Sequence, residues 1–139
     1  MSRIINPDGV GKERKHLTRA VVIAIRELMS QSTSNSNIYD PAAFIAIALD
    51  LISSTIDRSV TPWENRGYWL KADKFRLEWE WTDTLGKEMH DALMAEDLGR
   101  VAAAAANIGE KLSNVVVPKR HRLGTPWVGA WDKLKSQKR

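Results

Sequence analysis

The chain has 139 residues and a mass of 15.7 kDa, enough for one domain that buries an ordinary hydrophobic core. With 43% hydrophobic and 27% charged residues it lies near the globular average, which excludes a collagen-like repeat, wholesale disorder and a membrane-embedded protein. The absence of cysteine excludes disulfides, thiolate metal sites, iron–sulfur clusters and cysteine nucleophiles.

The net charge of +4 is unevenly placed. Residues 1–19 carry five basic and two acidic side chains, residues 20–117 nine and fourteen, and residues 118–139 seven and one. An acidic body therefore has two basic ends, an asymmetry that bears on partners rather than on fold. The N-terminal segment lacks the apolar stretch of a secretory signal. The most apolar run, Pro41 to Leu49, stops at Asp50, short of a membrane span of about 20 residues, so a cytoplasmic protein with no membrane partner is expected.

In chain order, residues 1–10 read as an irregular arm with a turn at Asn6-Pro7-Asp8-Gly9. A first helix is predicted over 11–30, where Leu17, Ala20, Val21, Ala24 and Leu28 recur at three- and four-residue spacing. The polar run Ser30 to Asn37 reads as a mobile loop. Asp40-Pro41 supplies a cap and a first-turn proline for a second helix over 40–59, with Ile45, Leu49, Ile52 and Ile56 as its seam. Its front half is apolar nearly all round, which predicts burial on more than one side.

Thr61-Pro62-Trp63-Glu64 has the elements of a capping box and predicts a third helix over 62–95, with Gly67 as a kink or break. Its seam is Ala72, Phe75, Trp79, Thr82, Gly86, Met89 and Leu93. Lys74–Glu78, Arg76–Glu80 and Asp83–Lys87 are i,i+4 pairs on exposed faces. A fourth helix over 97–113 presents Leu98, Val101, Ala104, Ala105, Ile108 and Leu112, with Asn114 as its C-cap. Val115-Val116-Val117-Pro118 reads as extended, and a short helix begins at Thr125-Pro126-Trp127. The fold class is all-α: an antiparallel four-helix bundle over 1–117 with a basic, tryptophan-containing C-terminal extension over 118–139.

Searching for chemistry yields little. There is no Gly-x-Ser-x-Gly elbow, no phosphate loop ending in Lys-Ser or Lys-Thr, and no Gly-x-Gly-x-x-Gly. Glu88 and His90 are two apart, so they diverge by about 200° on a helix and cannot share a metal. Neither a catalytic residue, a cofactor nor a metal is assigned.

The basic ends are the stronger signal. Lys119, Arg120 and Arg122, with Lys133 and Lys135 in the last helix and Arg14 and Lys15 near the start, are candidate phosphate contacts. Trp127 and Trp131 sit on one face of the last helix, where they either dock on the bundle or stack on bases. Trp81, two residues past Trp79, cannot share its seam and is covered by the tail, covered by another subunit, or left exposed. With Ile47 it marks a candidate protein interface, as do Trp127 and Trp131. The expectation is a non-enzymatic adaptor or small subunit whose basic termini touch RNA or DNA. The alternative is a self-associating or partner-binding bundle with no nucleic-acid role.

Overall fold

The structure is a computed structural model and describes residues 7–30 and 37–137. Residues 1–6 of the predicted arm and 31–36 of the predicted polar loop lie outside the described residues. All regular structure among the described residues is helical: α1 (Pro7–Ser30), α2 (Tyr39–Asn65), α3 (Trp69–Trp79), α4 (Trp81–Met94), α5 (Leu98–Lys111) and α6 (Ala130–Gln137). The helix content follows the periodicity of the sequence, and the departures from it have physical reasons.

The centre of the molecule is α2. Ala42, Ala43, Ile45, Ala46, Ala48, Leu49 and Ile52 are buried, and they cover well over half of the circumference of the helix, while Asp50 and Leu51 are exposed. Such a helix needs cover on more than one side, and α1, α3, α4 and α6 pack against it. α5 packs on α4 and touches α1. The alanines let the neighbouring helices approach closely. Ile45, Leu49 and Ile52 are fully buried and contribute roughly 1.5–3 kcal/mol each by removal from water. By length and composition α2 could also cross a membrane, contrary to the sequence expectation, yet 56% of its most apolar window is buried inside the protein.

The first correction concerns the Thr61-Pro62 signal, which starts no helix. α2 runs straight through it to Asn65, and Pro62 lies inside the helix. Thr61 Oγ1 donates to the Asp57 carbonyl at 2.8 Å instead of capping. Pro62 deprives the Arg58 carbonyl of its usual amide donor. The compensation is tertiary: Ile56, Val60 and Ala72 form a small second core that Trp63, Phe75 and Trp79 cover, and ending α2 at Ser59 would open it. The helix stops at Gly67, whose φ of +80° suits a residue without a Cβ. Gly67 N–H donates to the Glu64 carbonyl and Tyr68 N–H to the Trp63 carbonyl, the paired bonds of a Schellman motif.

The second correction is that the predicted third helix is two helices. α3 ends at Trp79 and α4 begins at Trp81, with Glu80 between them. Thr82 Oγ1 donates back to the Trp79 carbonyl at 2.8 Å, the kind of side-chain bond that bends a helix. The indoles of Trp79 and Trp81 stack across the break, 6.3 Å apart at 23°. The seam nevertheless holds: Ala72, Thr82, Gly86, Met89 and Leu93 are buried, and Phe75 and Trp79 are half-buried. Of the expected i,i+4 pairs, Lys87–Asp83 forms at 3.1 Å. Arg76 instead reaches α2, where it bonds Asp57 and Glu64, and these contacts hold its pKa above the usual arginine range.

Smaller shifts affect the ends of α1 and α5. α1 begins at Pro7 rather than residue 11, because a proline fits the first helical turn as well as it fits a turn. Asp97 caps α5 by accepting from Arg100 N–H at 3.2 Å. Its C-cap is Leu112 and not Asn114. Arg100 then forks onto both carboxylate oxygens of Glu88 at 3.1 Å and ties α5 to α4.

Two glycines can be separated by experiment. A Cβ at Gly86 would lie 3.1 Å from Leu49 Cβ, at the closest crossing of α4 and α2, whereas a Cβ at Gly67 meets nothing within 4 Å. Gly86→Val is expected to lower stability by about 1–3 kcal/mol through overpacking. Gly67→Ala is expected to lower it by about 1–2 kcal/mol through left-handed backbone strain alone. Urea unfolding midpoints check both.

Candidate interaction surfaces

The basic segment leaves the end of α5 in extended form and is pinned at once. Val117 is buried in the core. Arg26 of α1 donates from Nη2 to the Val117 carbonyl at 2.7 Å and from Nη1 to the Pro118 carbonyl at 3.4 Å. Three residues later the His121 imidazole accepts at Nδ1 from Leu123 N–H at 3.2 Å, and Leu123 packs against the core. The four residues between these anchors are thus held on a short leash. Lys119, Arg120 and Arg122 are exposed, and no carboxylate among the described residues lies within ion-pair distance of them.

From there the chain crosses to α2 and docks. Trp127, Ala130 and Leu134 are buried and belong to the main core. Residues 126–129 form a turn, so α6 begins at Ala130, not at Thr125. The cap on α6 comes from Asp40 at the start of α2. Its Oδ2 accepts from Gly129 N–H at 3.2 Å and its Oδ1 from Trp131 N–H at 2.9 Å. Asp40 does the chemistry of a capping residue, but for a helix 90 residues further on; α2 itself has Ile38 at its N-cap with no side-chain bond. A carboxylate at a helix N-terminus satisfies orphan amides and meets the positive end of the helix dipole.

These contacts decide what the tryptophans of the tail do. Trp127 is 8% exposed, and Trp131 is half-buried with its ring 5.1 Å from that of Tyr39. Trp127 is buried in the core and offers no surface to a base or a partner, while Trp131 leans on Tyr39 and keeps part of its ring exposed. Lys133 is exposed, while Lys135 lies 3.6 Å from Asp132 and 5.1 Å from the Trp131 ring centre.

Arg14 requires a correction too. It turns inward, where Nη1 donates to Ser59 Oγ at 2.9 Å and Thr55 Oγ1 at 3.2 Å. Its guanidinium carbon sits 4.9 Å from the Phe75 ring centre and 5.6 Å from that of Trp79. Burial lowers its pKa below the usual arginine range, and nearby Glu78 opposes that shift. Arg14 therefore clamps α1, α2 and α3 together and is not available to phosphate. The sign of this was in the sequence, since Arg14 continues the three-four spacing of Leu17, Val21, Ala24 and Leu28. Lys15, its neighbour, is exposed.

Trp81 is half-buried, stacks on Trp79, and lines a shallow groove with Leu77, Leu85, Asn107 and Lys111. Ile47 lines a groove of about 300 Å³ between α2, α4 and α6, together with Asp50, Asp83, Lys87 and His90. No group of three or more acidic or histidine side chains able to hold a metal occurs among the described residues. One surface was not anticipated. The outer side of α3 exposes Leu70 by 74% and Leu77 by 66%, with Tyr68 and Trp69 exposed at its start. Both leucines fall off the predicted seam of Ala72, Phe75 and Trp79, which was the available signal.

Asp40 gives a direct test of tail docking. Asp40→Ala is expected to destabilise the fold by about 0.5–2 kcal/mol, the usual range for a lost cap, and to speed proteolysis within 119–129. Asp40→Asn, which keeps one acceptor, should fall between. Limited trypsin digestion monitored by mass spectrometry reads both.

Compared with known proteins, the chain matches no protein family, no curated sequence and no solved structure.

Proposed function

We propose that this chain is a non-enzymatic adaptor that contacts nucleic-acid phosphates through the pinned loop 119–122. Its scaffold is read as an antiparallel four-helix bundle of α1, α2, the α3–α4 pair and α5, with the basic extension closing over α2. Ion pairs support that arrangement. Glu13–Arg58 at 3.2 Å brings the start of α1 to the end of α2, and Arg100–Glu88 at 3.1 Å brings the start of α5 to the last turns of α4.

The observation that carries the functional reading is the set Lys119, Arg120 and Arg122, exposed without acidic partners on a loop anchored at both ends. An anchored loop loses little conformational entropy on binding, and its charges cost no ion pair when they meet a phosphate. Lys133 extends the same chemistry. Residues 20–117 carry fourteen acidic against nine basic side chains, so the body repels phosphate and the basic edge sets the orientation of approach. Because the tail rings are docked, the contact is to the backbone and is independent of base sequence.

A second reading, a protein-interaction module with no nucleic-acid role, draws on the open face of α3 rather than on Trp81 or Ile47.

Fluorescence anisotropy with labelled duplex DNA and single-stranded RNA at 50 and 200 mM salt tests the leading reading. Replacing Lys119, Arg120 and Arg122 together by alanine should flatten the slope of log affinity against log salt by about 2–3 on duplex. Trp131→Ala should leave single-strand binding unchanged apart from loss of fold. An unaltered slope in the triple variant overturns the proposal.

A further inference from the structure

α1 has two sides of opposite character. Leu17, Val21, Ala24 and Leu28 turn into the core, and Arg14 on the same side turns onto Phe75 and Trp79. At about 100° per residue, Lys12, Lys15, Arg19 and Arg26 fall within an arc of about 60° on the opposite side. Lys12, Lys15 and Arg26 are exposed, and Arg19 is half-buried. The row runs for about 20 Å along the helix axis. Between residues 12 and 26 the one carboxylate of α1 is Glu13, which lies off the row and is bonded to Arg58. Lys12, Lys15 and Arg19 make no ion pair with another described residue.

The far end of this row meets the pinned loop. Arg26 donates to the carbonyls of Val117 and Pro118, which carry no net charge, so its own charge stays uncompensated. Lys119 follows Pro118 directly. The charges on the outer side of α1 and those of Lys119, Arg120 and Arg122 are therefore continuous, a basic strip with most of its length on a rigid helix.

We infer that this strip is a track for double-stranded nucleic acid, with Lys12, Lys15 and Arg19 contacting phosphates in line with the loop. The inference rests on the phosphate reading of the loop and names its substrate class. A duplex holds its phosphates at fixed spacing, about one charge per 1.7 Å of its axis. A stiff row of cations then meets a stiff row of anions, and little order has to be imposed on either. A single strand must instead be straightened along the row, and stacking on aromatic rings is what offsets that ordering in single-strand sites. α1 contains no Phe, Tyr or Trp. An anionic lipid surface fits less well, because an interfacial helix inserts its apolar side and that of α1 is committed to the core.

Fluorescence anisotropy with a labelled DNA duplex, and with one of its strands alone, from about 50 to 200 mM salt tests the track. The wild-type chain is expected to bind the duplex about tenfold or more tightly than the strand. K12A/K15A should flatten the slope of log affinity against log salt by about 2 on duplex, and K12A/K15A/R19A by about 3. Helical circular dichroism should not change in K12A/K15A, because both positions are exposed. Adding K12A/K15A to the alanine variant of Lys119, Arg120 and Arg122 should sum the two effects. A slope that falls in the loop variant but is untouched by K12A/K15A overturns the track and leaves the loop reading standing. Equal affinity for strand and duplex overturns the substrate class. No duplex binding at about 50 mM salt overturns track and loop together, including where the chain instead binds vesicles of anionic lipid.

Discussion

A helix that is apolar over most of its circumference cannot stand in water alone, and α2 from Pro41 to Leu49 is such a helix. The rest of the architecture answers that constraint. α1 and α4 cover two sides, α3 covers the C-terminal part, and one side of the N-terminal part would still be open. α6 closes it with Ala130 and Leu134, and Trp127 fills the space ahead of them. The C-terminal extension is therefore part of the core and not an appendage. Only after its apolar residues are committed to α2 does its positive charge acquire a fixed position on the surface.

Asp40 shows how sparse the polar fixing of this closure is. Two amides at the start of α6 are satisfied by one carboxylate from α2, and two carbonyls of the extended segment by one guanidinium from α1. Burial supplies most of the driving force for docking, but burial is not directional. The four hydrogen bonds choose the register in which α6 lies along α2 and hence where residues 119–122 emerge. Tyr39 against Trp131 reinforces the same register from the apolar side.

What could be read in the sequence was whatever periodicity records. The seam from Ala72 to Leu93 survives even the break at Glu80, because a one-residue irregularity in αR geometry preserves the phase of the two helices. The apolar front half of α2 signalled burial on more than one side, which left open whether α2 was the central helix or a contact to another chain. What could not be read was competition between a local motif and distant burial. Thr61-Pro62 is a good helix start in isolation, yet Val60 and Ile56 belong to a core that exists only when α3 folds back, and that outweighs the proline. Asp40 has the right chemistry for a cap but serves a helix no local window contains. Arg14 has the chemistry of a surface charge but lies on the apolar stripe of α1, and the cluster it joins combines residues from three helices. The open face of α3 was visible only as the complement of the seam.

The two proposed surfaces lie at opposite ends of α2. Asp40 and Arg26 fix the basic loop near its N-terminus, while α3 packs along its C-terminal part through Ile56 and Val60. A 27-residue helix is about 40 Å long, several times the Debye length at physiological salt. Charge changes at one surface therefore exert little direct electrostatic effect on the other. The fold that needs its tail to close the core thus leaves the basic loop near one end of α2 and the exposed side of α3 near the other.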